Sequence, residues 1–448
     1  VSKKNMEMPL DITAEEFASR REQLKSQLAT DGLMLLAAAD HPIRNGDAEY
    51  GYRQNSNFWY LTGFDEPEAV MVIAPNRKEG EYILFCRDRN PEMEQWTGRR
   101  AGQDGAKEIY GADQAFSISK LDEMLPALME DRDTVYLPLA RGNDLQATAE
   151  KALNVVRGRV RTGIAAPQRF EDIEPLIHEM RLFKSAAEAE QMRYAGKVSA
   201  MGHTRAMEKS HSGLNEYQLE AEICHEFARM GCRDEAYSSI VGGGENACIL
   251  HYIENNQLLK HGDMVLIDAG AEFRKYAGDI TRTFPVDGKF SEPQRELYQI
   301  VLNAQLASIE QVKPGNTFDH PHQATLQALT SGLVELGILK GDVKELIEKE
   351  AYKPFFMHKT GHWLGIDVHD CGKYKIDGEW RKLEPGMVMT IEPGLYISPS
   401  DDVDEKYWNI GIRIEDDILV TESGYENLSA DVVKSVEEIE TLMGQRNK

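Results

Sequence analysis

The sequence predicts an α/β (α+β) fold in two consecutive domains, and three observations carry that expectation. The chain of 448 residues is longer than a single simple core organises, so two domains is the prior. Short apolar runs alternate with helical patterns from residue 13 to about residue 167. After the polar, proline-containing stretch AAPQRFEDIEP at 165–175, the order changes to two rounds of helix, helix, strands, which suggests a duplicated half-unit.

In the first region, AEEFASRREQLKSQLATDG reads as an amphipathic helix that stops at Gly32. LMLLAAA from Leu33, AVMVIAP from Ala69, YILFC from Tyr82 and TVYLPL from Thr134 read as buried strands. The aromatic stretch NSNFWYLTGF at 55–64 reads as core or interface, not as active site. The domains expected are 10–172, a smaller α/β unit, and 178–440, the larger one. In the second, helical patterns run through SAAEAEQMRYAGKVSAMGHTRAMEKS and NEYQLEAEICHEFARMG, the latter closing on Gly231. Strand-like segments follow around Ile240, Met264, Asp279 and Thr283. Helices return near 292–312 and 319–336, and a strand-rich section closes the chain. GDMVLIDAG at 262–270 and GMVMTIEPG at 386–394 share one form: glycine, five residues, an acid, one residue, glycine.

Bulk composition excludes several classes of function. A net charge of −24 repels phosphate backbones, so nucleic acid is not an expected partner. The longest apolar run, at 33–39, is far short of a bilayer span, and no membrane association is expected. VSKKNMEMPLD at the start has lysines with no apolar stretch behind them, which predicts no secretory signal. The five cysteines are widely spaced without a CxxC pair, which predicts a reduced, cytoplasmic setting. VGGGENACILHY at 241–252 lacks the Lys-Ser/Thr of a phosphate loop and reads as a turn presenting His251. No GxSxG occurs and no cysteine has an evident base, so covalent catalysis has no support.

Four acids occupy positions where solvated carboxylates do not belong. Asp268 ends MVLID and Glu392 ends MVMTIE, at matched places in the two nine-residue segments. Asp279 lies in YAGDITRTF, where alternation puts Asp279, Thr281 and Thr283 on one face. Glu415 lies in NIGIRIEDDILV, sharing a face with Gly411 and Arg413. A buried carboxylate costs several kcal/mol or more unless it is paired or binds a cation. Any one of these acids could be half of an ion pair with Arg413 or Arg282; four of them, flanking the histidine-rich FFMHKTGHWLGIDVHD at 355–370, point to a metal site. Whether His358, His362 and His369 are three ligands, a base with helpers, or core residues is not settled by their spacing. Four carboxylates and one imidazole favour Mn²⁺, with Co²⁺, Fe²⁺ or Zn²⁺ as alternatives. Charge balance sets two divalent ions with a bridging hydroxide, and hydrolysis of an amide or ester as the chemistry.

The order Asp268, Asp279, His362, Glu392, Glu415 resembles the dinuclear "pita-bread" metallopeptidases, which include methionine aminopeptidase, prolidase and aminopeptidase P. LIDAGAEFRKYAGDITRTFPVDGKF, EPGMVMTIEPGLYI and NIGIRIEDD are most similar to the bacterial aminopeptidase P branch. The N-terminal DAEYGYRQNSNFWYLTGFDEPEAV resembles that branch too, so the likeness spans nearly the whole chain. The resemblance implies a pita-bread catalytic domain with pseudo-twofold halves after a smaller N-terminal domain. It further implies that Asp268, Asp279, His362, Glu392 and Glu415 hold the metals, with Glu392 guiding the proton of the attacking metal-bridging hydroxide. His251 and His369 would stabilise the oxyanion and hold the peptide, His358 would line the proline side, and Arg413 would brace a ligand carboxylate. The implied reaction removes the N-terminal residue of peptides with proline second, in a homo-oligomer, dimer or tetramer. Prolidase, restricted to Xaa-Pro dipeptides and with organophosphate esters as a side activity among its relatives, is the nearest alternative. Methionine aminopeptidase resembles the C-terminal half alone. Metal-free binding proteins and creatinase-type enzymes share the fold, but all five ligand positions are filled here. Lys359, Thr360 and Gly361 ahead of the ligand histidine depart from a segment that varies in the family, and Lys359 adds a cation near the cleft.

Overall fold

In the computed structural model, which describes residues 7–141 and 144–445, the four apolar runs of the first region all join one sheet. The helix α1, Ala14–Lys25, starts where the Thr13 hydroxyl accepts the Glu16 N–H and leads to β1, Gly32–Ala37. It ends at Lys25 and not at Gly32 as expected, because Ser26 already caps it. Gly32 has a different duty: a Cβ there would lie 2.9 Å from the Ala29 carbonyl and 2.9 Å from the Tyr136 ring, so it lets the chain turn into the sheet. The strands β2 (Val70–Ile73), β3 (Tyr82–Cys86), β4 (Gln114–Ser117), β5 (Thr134–Leu137) and β6 (Arg169–Asp172) complete the order β4-β3-β2-β1-β5-β6. The aromatic stretch forms the helix α2, Ser56–Thr62, in which Phe58, Trp59, Tyr60 and Leu61 are all buried. It is core. This compact unit is Asp11–Arg181, and the rest of the described chain forms a second one.

The second unit shows the doubled order of elements. Its first round has α3 (Ala186–Lys209), closed at its start by a Ser185–Glu188 capping box, then α4 (Glu216–Arg229). The strands β7 (Ile240–Gly243), β8 (Met264–Asp268) and β9 (Thr281–Pro285) follow as an antiparallel sheet in that order. The second round repeats the plan with α5 (Glu292–Ile309) and α6 (Asp319–Glu335). Its strands are β10 (Val388–Ile391), β11 (Gly394–Ile397), β12 (Ile410–Arg413), β13 (Asp416–Thr421) and β14 (Gly424–Asn427). They pair as β10-β13-β14 and β11-β12. One core cluster draws on both rounds, from Val198, Ile223 and Phe284 to Leu297, Leu329 and Ile412. All five cysteines are free thiols.

The closing glycines of the two nine-residue segments, Gly270 and Gly394, are required by close approach. A Cβ on Gly270 would meet the Gly278 carbonyl at 1.7 Å, and one on Gly394 would meet the Tyr396 hydroxyl at 2.7 Å and the Ile412 carbonyl at 2.8 Å. Two of the acids differ from expectation, since Asp279 and Glu415 stand in short links just ahead of β9 and β13, not inside strands. The reason is competition for their backbone donors. The Asp279 N–H donates to the Asp417 carboxylate at 3.0 Å, and the Glu415 N–H donates across to the Thr281 carbonyl at 3.0 Å. Replacing Gly270 by alanine is expected to lower the stability of this unit by about 1–3 kcal/mol through overpacking, read as a drop in the urea midpoint with an unchanged slope.

Candidate active site

The five expected ligands stand on separate links of the chain. Asp268 closes β8, Asp279 precedes β9, Glu392 follows β10, Glu415 joins β12 to β13, and His362 lies in the irregular stretch ahead of β10. That stretch is laced to β10: the Thr390 N–H donates to the His362 carbonyl at 2.9 Å and the Glu392 N–H to the Thr360 carbonyl at 2.8 Å. Gly361 permits the approach, because a Cβ there would sit 1.9 Å from the Thr390 carbonyl. His362 Nε2 then lies 3.4 Å from Asp279 Oδ2 and 3.7 Å from Glu392 Oε1. Asp279, His362 and Glu415 each offer a ligand atom within 4.8 Å of the others. Asp279 and Glu415 are 4% and 2% exposed.

Burial and crowding set the electrostatics. Burial pushes the Glu392 carboxyl up to about 7 against the opposing charges of His362 and Arg413. Glu415 is held well above the usual range by burial and then by Asp279, Glu392 and Asp268. Burial would lower His362, yet its contact with Asp279 and the charge of Glu392 outweigh this and raise it to about 9. The pocket is short of positive charge. Its donors are carboxylate oxygens and one imidazole, which fits divalent cations of hard or borderline character. Such ions would supply the charge that the side chains lack.

The ring nitrogens separate the three histidines. His362 Nδ1–H donates to the Trp363 carbonyl at 2.9 Å, which turns Nε2 toward the acids, where a proton or a cation can sit. His358 has both nitrogens engaged: Nδ1–H donates to the Lys359 carbonyl at 2.7 Å, and Nε2 accepts from the Tyr396 hydroxyl at 2.8 Å. Burial pushes it down to about 3, so it is a neutral wall of the pocket. His369 is exposed, with its ring 4.4 Å from that of His362 and edge-on to it. Burial and then the charge of His362 lower its proton affinity, and His251, exposed as well, adds to the effect.

Arg413 ties the site together from beneath. Its Nη2 donates to Asp268 at 2.6 Å, its Nη1 to the Tyr396 hydroxyl at 2.9 Å and its Nε to the Thr281 hydroxyl at 3.2 Å. Thr281 in turn donates to Glu415 at 2.6 Å. Arg282, the other cation considered as a partner, pairs with Asp416 at 2.7 Å instead. Three features escaped the sequence reading. The Tyr237 hydroxyl lies between two of the acids, at 2.5 Å from Asp268 Oδ1 and 2.6 Å from Asp279 Oδ1, and burial with those two charges raises its pKa well above normal. Tyr396 links Arg413 to His358. Lys184 and Asp370, each with a side chain 1% exposed, pair at 2.9 Å beside His369. A tyrosine in a coil carries no pattern, whereas a lysine and an acid 186 residues apart leave none that spacing can detect.

Residues 190–422 match metallopeptidase family M24, and residues 17–136 match the aminopeptidase P, N-terminal domain. The chain therefore belongs to metallopeptidase family M24, and its second unit has the pita-bread fold of that family. It is 50% identical to Escherichia coli (strain K12) Xaa-Pro aminopeptidase over 97% of this chain and 98% of the relative. The structure of Pseudomonas aeruginosa aminopeptidase PepP superposes with a TM-score of 0.96 at 52% identity, covering 97% of this chain and 99% of that one. Zinc-substituted E. coli aminopeptidase P in complex with product gives a TM-score of 0.95 at 50% identity, covering 98% and 100%.

Two outcomes follow from the geometry. Tyr237→Phe removes a hydroxyl shared by two acids, and metal affinity measured by titration calorimetry should fall about 10–100-fold. The metal-free chain should lose stability as pH rises. Glu392 goes from an ordinary 4.5 to about 7 and His362 from 6.5 to about 9, so the folded form binds more protons than the unfolded form between those limits. Melting temperature should decline from pH 4.5 to 9, and saturating Mn²⁺ should reverse the decline above pH 7, where metal displaces the protons.

Proposed function

We propose that the chain is a metal-dependent Xaa-Pro aminopeptidase, which releases the N-terminal residue from peptides whose second residue is proline. The observation that carries the reading is the close approach of Asp279, His362 and Glu415, with Glu392 beside His362 and Asp268 joined to Asp279 through the Tyr237 hydroxyl, in a chain half identical to an Xaa-Pro aminopeptidase along nearly its full length. In this reading Asp268, Asp279, His362, Glu392 and Glu415 would hold the two divalent ions. The ions, manganese in our reading with cobalt, iron or zinc as alternatives, polarise the scissile carbonyl and lower the pKa of a water molecule when bound.

The chain's own groups do the rest. Glu392 takes up the proton of the attacking water and returns it to the leaving proline nitrogen, a task suited to a carboxyl whose proton affinity burial has lifted. His369 and His251, exposed beside the acids, hold the peptide and face the oxygen on which charge develops. His358 packs edge-on against Phe356 at 4.7 Å and stays neutral, a wall suited to the apolar pyrrolidine ring. Arg413 holds Asp268 in orientation. Proline second is chemically reasonable, because its tertiary amide lacks the N–H that other exopeptidases grip. The domain limits in this reading are 10–172 for the N-terminal domain and 178–440 for the catalytic one. The five free cysteines support a reduced cytoplasmic location. Among the described residues no helix is long and apolar enough to cross a membrane. A homo-oligomer completes the proposal.

With Mn²⁺ supplied, Xaa-Pro-Xaa peptides should be cleaved faster than Xaa-Pro dipeptides; strict dipeptide preference would make the chain a prolidase. Glu392→Gln should lower kcat about 10²–10⁴-fold with circular dichroism unchanged. Asp268→Ala should abolish most activity by removing a ligand, and undiminished activity in either variant refutes the site.

A further inference from the structure

Lys359 and Lys375 stand out in a chain of net charge −24. Both are exposed, and neither makes an ion pair or a side-chain hydrogen bond among the described residues. Their ammonium groups lie over one ring, 5.9 Å and 4.5 Å from the centre of Trp380. Like charges held over a single ring repel, and the negative face of the indole offsets part of that repulsion. An anion within reach of both flexible side chains would offset that repulsion.

The platform is fixed to the active site. Trp380 lies in the hairpin Lys375–Ile376/Glu379–Trp380, and its ring stacks on Phe318 at 6.3 Å. Phe318 also packs on Trp363 at 4.7 Å, the residue after His362. Lys359 follows His358 directly and accepts its Nδ1–H at the backbone carbonyl. Adjacent residues are about 3.8 Å apart along either chain. With His358 on the proline side of a bound peptide, the Lys359 backbone lies one such step away, and its long side chain spans the distance to the next peptide residue.

We propose that Lys359 and Lys375 form a carboxylate-recognising subsite for the peptide just beyond the proline, so that the enzyme favours an acidic side chain or a free C-terminus there. This rests on the reading of the site as an Xaa-Pro aminopeptidase with His358 on the proline side. Nothing in the hydrolytic chemistry requires either lysine, which makes the subsite a determinant of substrate choice.

The test is steady-state kinetics of the Mn²⁺-loaded enzyme on Ala-Pro-Glu amide, Ala-Pro-Gln amide and Ala-Pro-Gln with a free C-terminus. Either carboxylate should raise kcat/KM about threefold to tenfold over the neutral amide, chiefly through KM, and the advantage should shrink in 0.5 M NaCl, as expected when screening tightens to about 4 Å. A gain with the glutamate amide identifies a side-chain carboxylate as the ligand, and a gain with the free acid identifies the terminal one. Lys359→Met with Lys375→Met should erase the gain. Equal rates on all three peptides, or a preference that survives in the double variant, overturn the subsite while leaving the aminopeptidase reading in place. Cleavage of none of the three overturns both.

Discussion

Mutual repulsion among four carboxylates at the ends of buried strands is the constraint around which the catalytic unit is arranged. The charges of Asp268 and Asp279 raise the proton affinity of Glu392 and Glu415. The contrast between neighbours in the chain makes the point. Burial would raise Asp416 too, but Arg282 and Lys434 outweigh it and hold the group well below the ordinary range. Asp416 also accepts from Gln305, Asn427 and Ser429, so its charge is fully answered within the protein. Glu415 has the Thr281 hydroxyl and faces other acids. One acid is structural and its neighbour is left needing a cation, a difference made by partners and not by depth of burial.

Holding such a cluster requires rigid backbone, and the fold supplies it through contacts too close for side chains. Gly270 against Gly278, Gly361 against Thr390 and Gly394 against Ile412 bring the acid-bearing links within reach of one another. Buried cations then brace the cluster from the protein side. Arg413 spans Asp268 and, through Thr281, Glu415. Lys184 pairs with Asp370 next to His369, and loss of either member would remove the opposite charge from the other where both side chains are almost fully buried. These pairs add little net stability over apolar packing; their effect is on geometry.

Much of this was legible in the sequence because burying charge is costly and therefore visible. An acid closing an apolar run reads as anomalous, and the repeated glycine–acid–glycine form marked Asp268 and Glu392 as equivalents. Asp279 and Glu415 were placed on the right segments but assigned to strands, since alternation cannot reveal that the Asp417 carboxylate takes the Asp279 N–H. The end of α1 was misjudged for a related reason: a glycine after a helical pattern signals a cap, and here Gly32 serves the sheet. Tyr237 and Tyr396 were illegible. A phenol hydroxyl acts through a single atom, and where it points is decided by tertiary packing with no periodic trace.

Histidine roles show the same division between what spacing and what partners can say. In the sequence His358, His362 and His369 are three equal candidates. The hydrogen bonds distinguish two of them, since a ligand histidine has one nitrogen anchored and the other turned toward the cation site. His362 meets that condition; His358 spends both nitrogens on Lys359 and Tyr396. The Tyr396 hydroxyl can donate to His358 because Arg413 donates to it, so the arginine that orients Asp268 also fixes the tautomer of the histidine across the pocket. One guanidinium thus couples a carboxylate of the acid cluster to a neutral imidazole through a single phenol. A substitution at Arg413 would disturb both at once, even though it touches neither the metals nor the peptide in this reading.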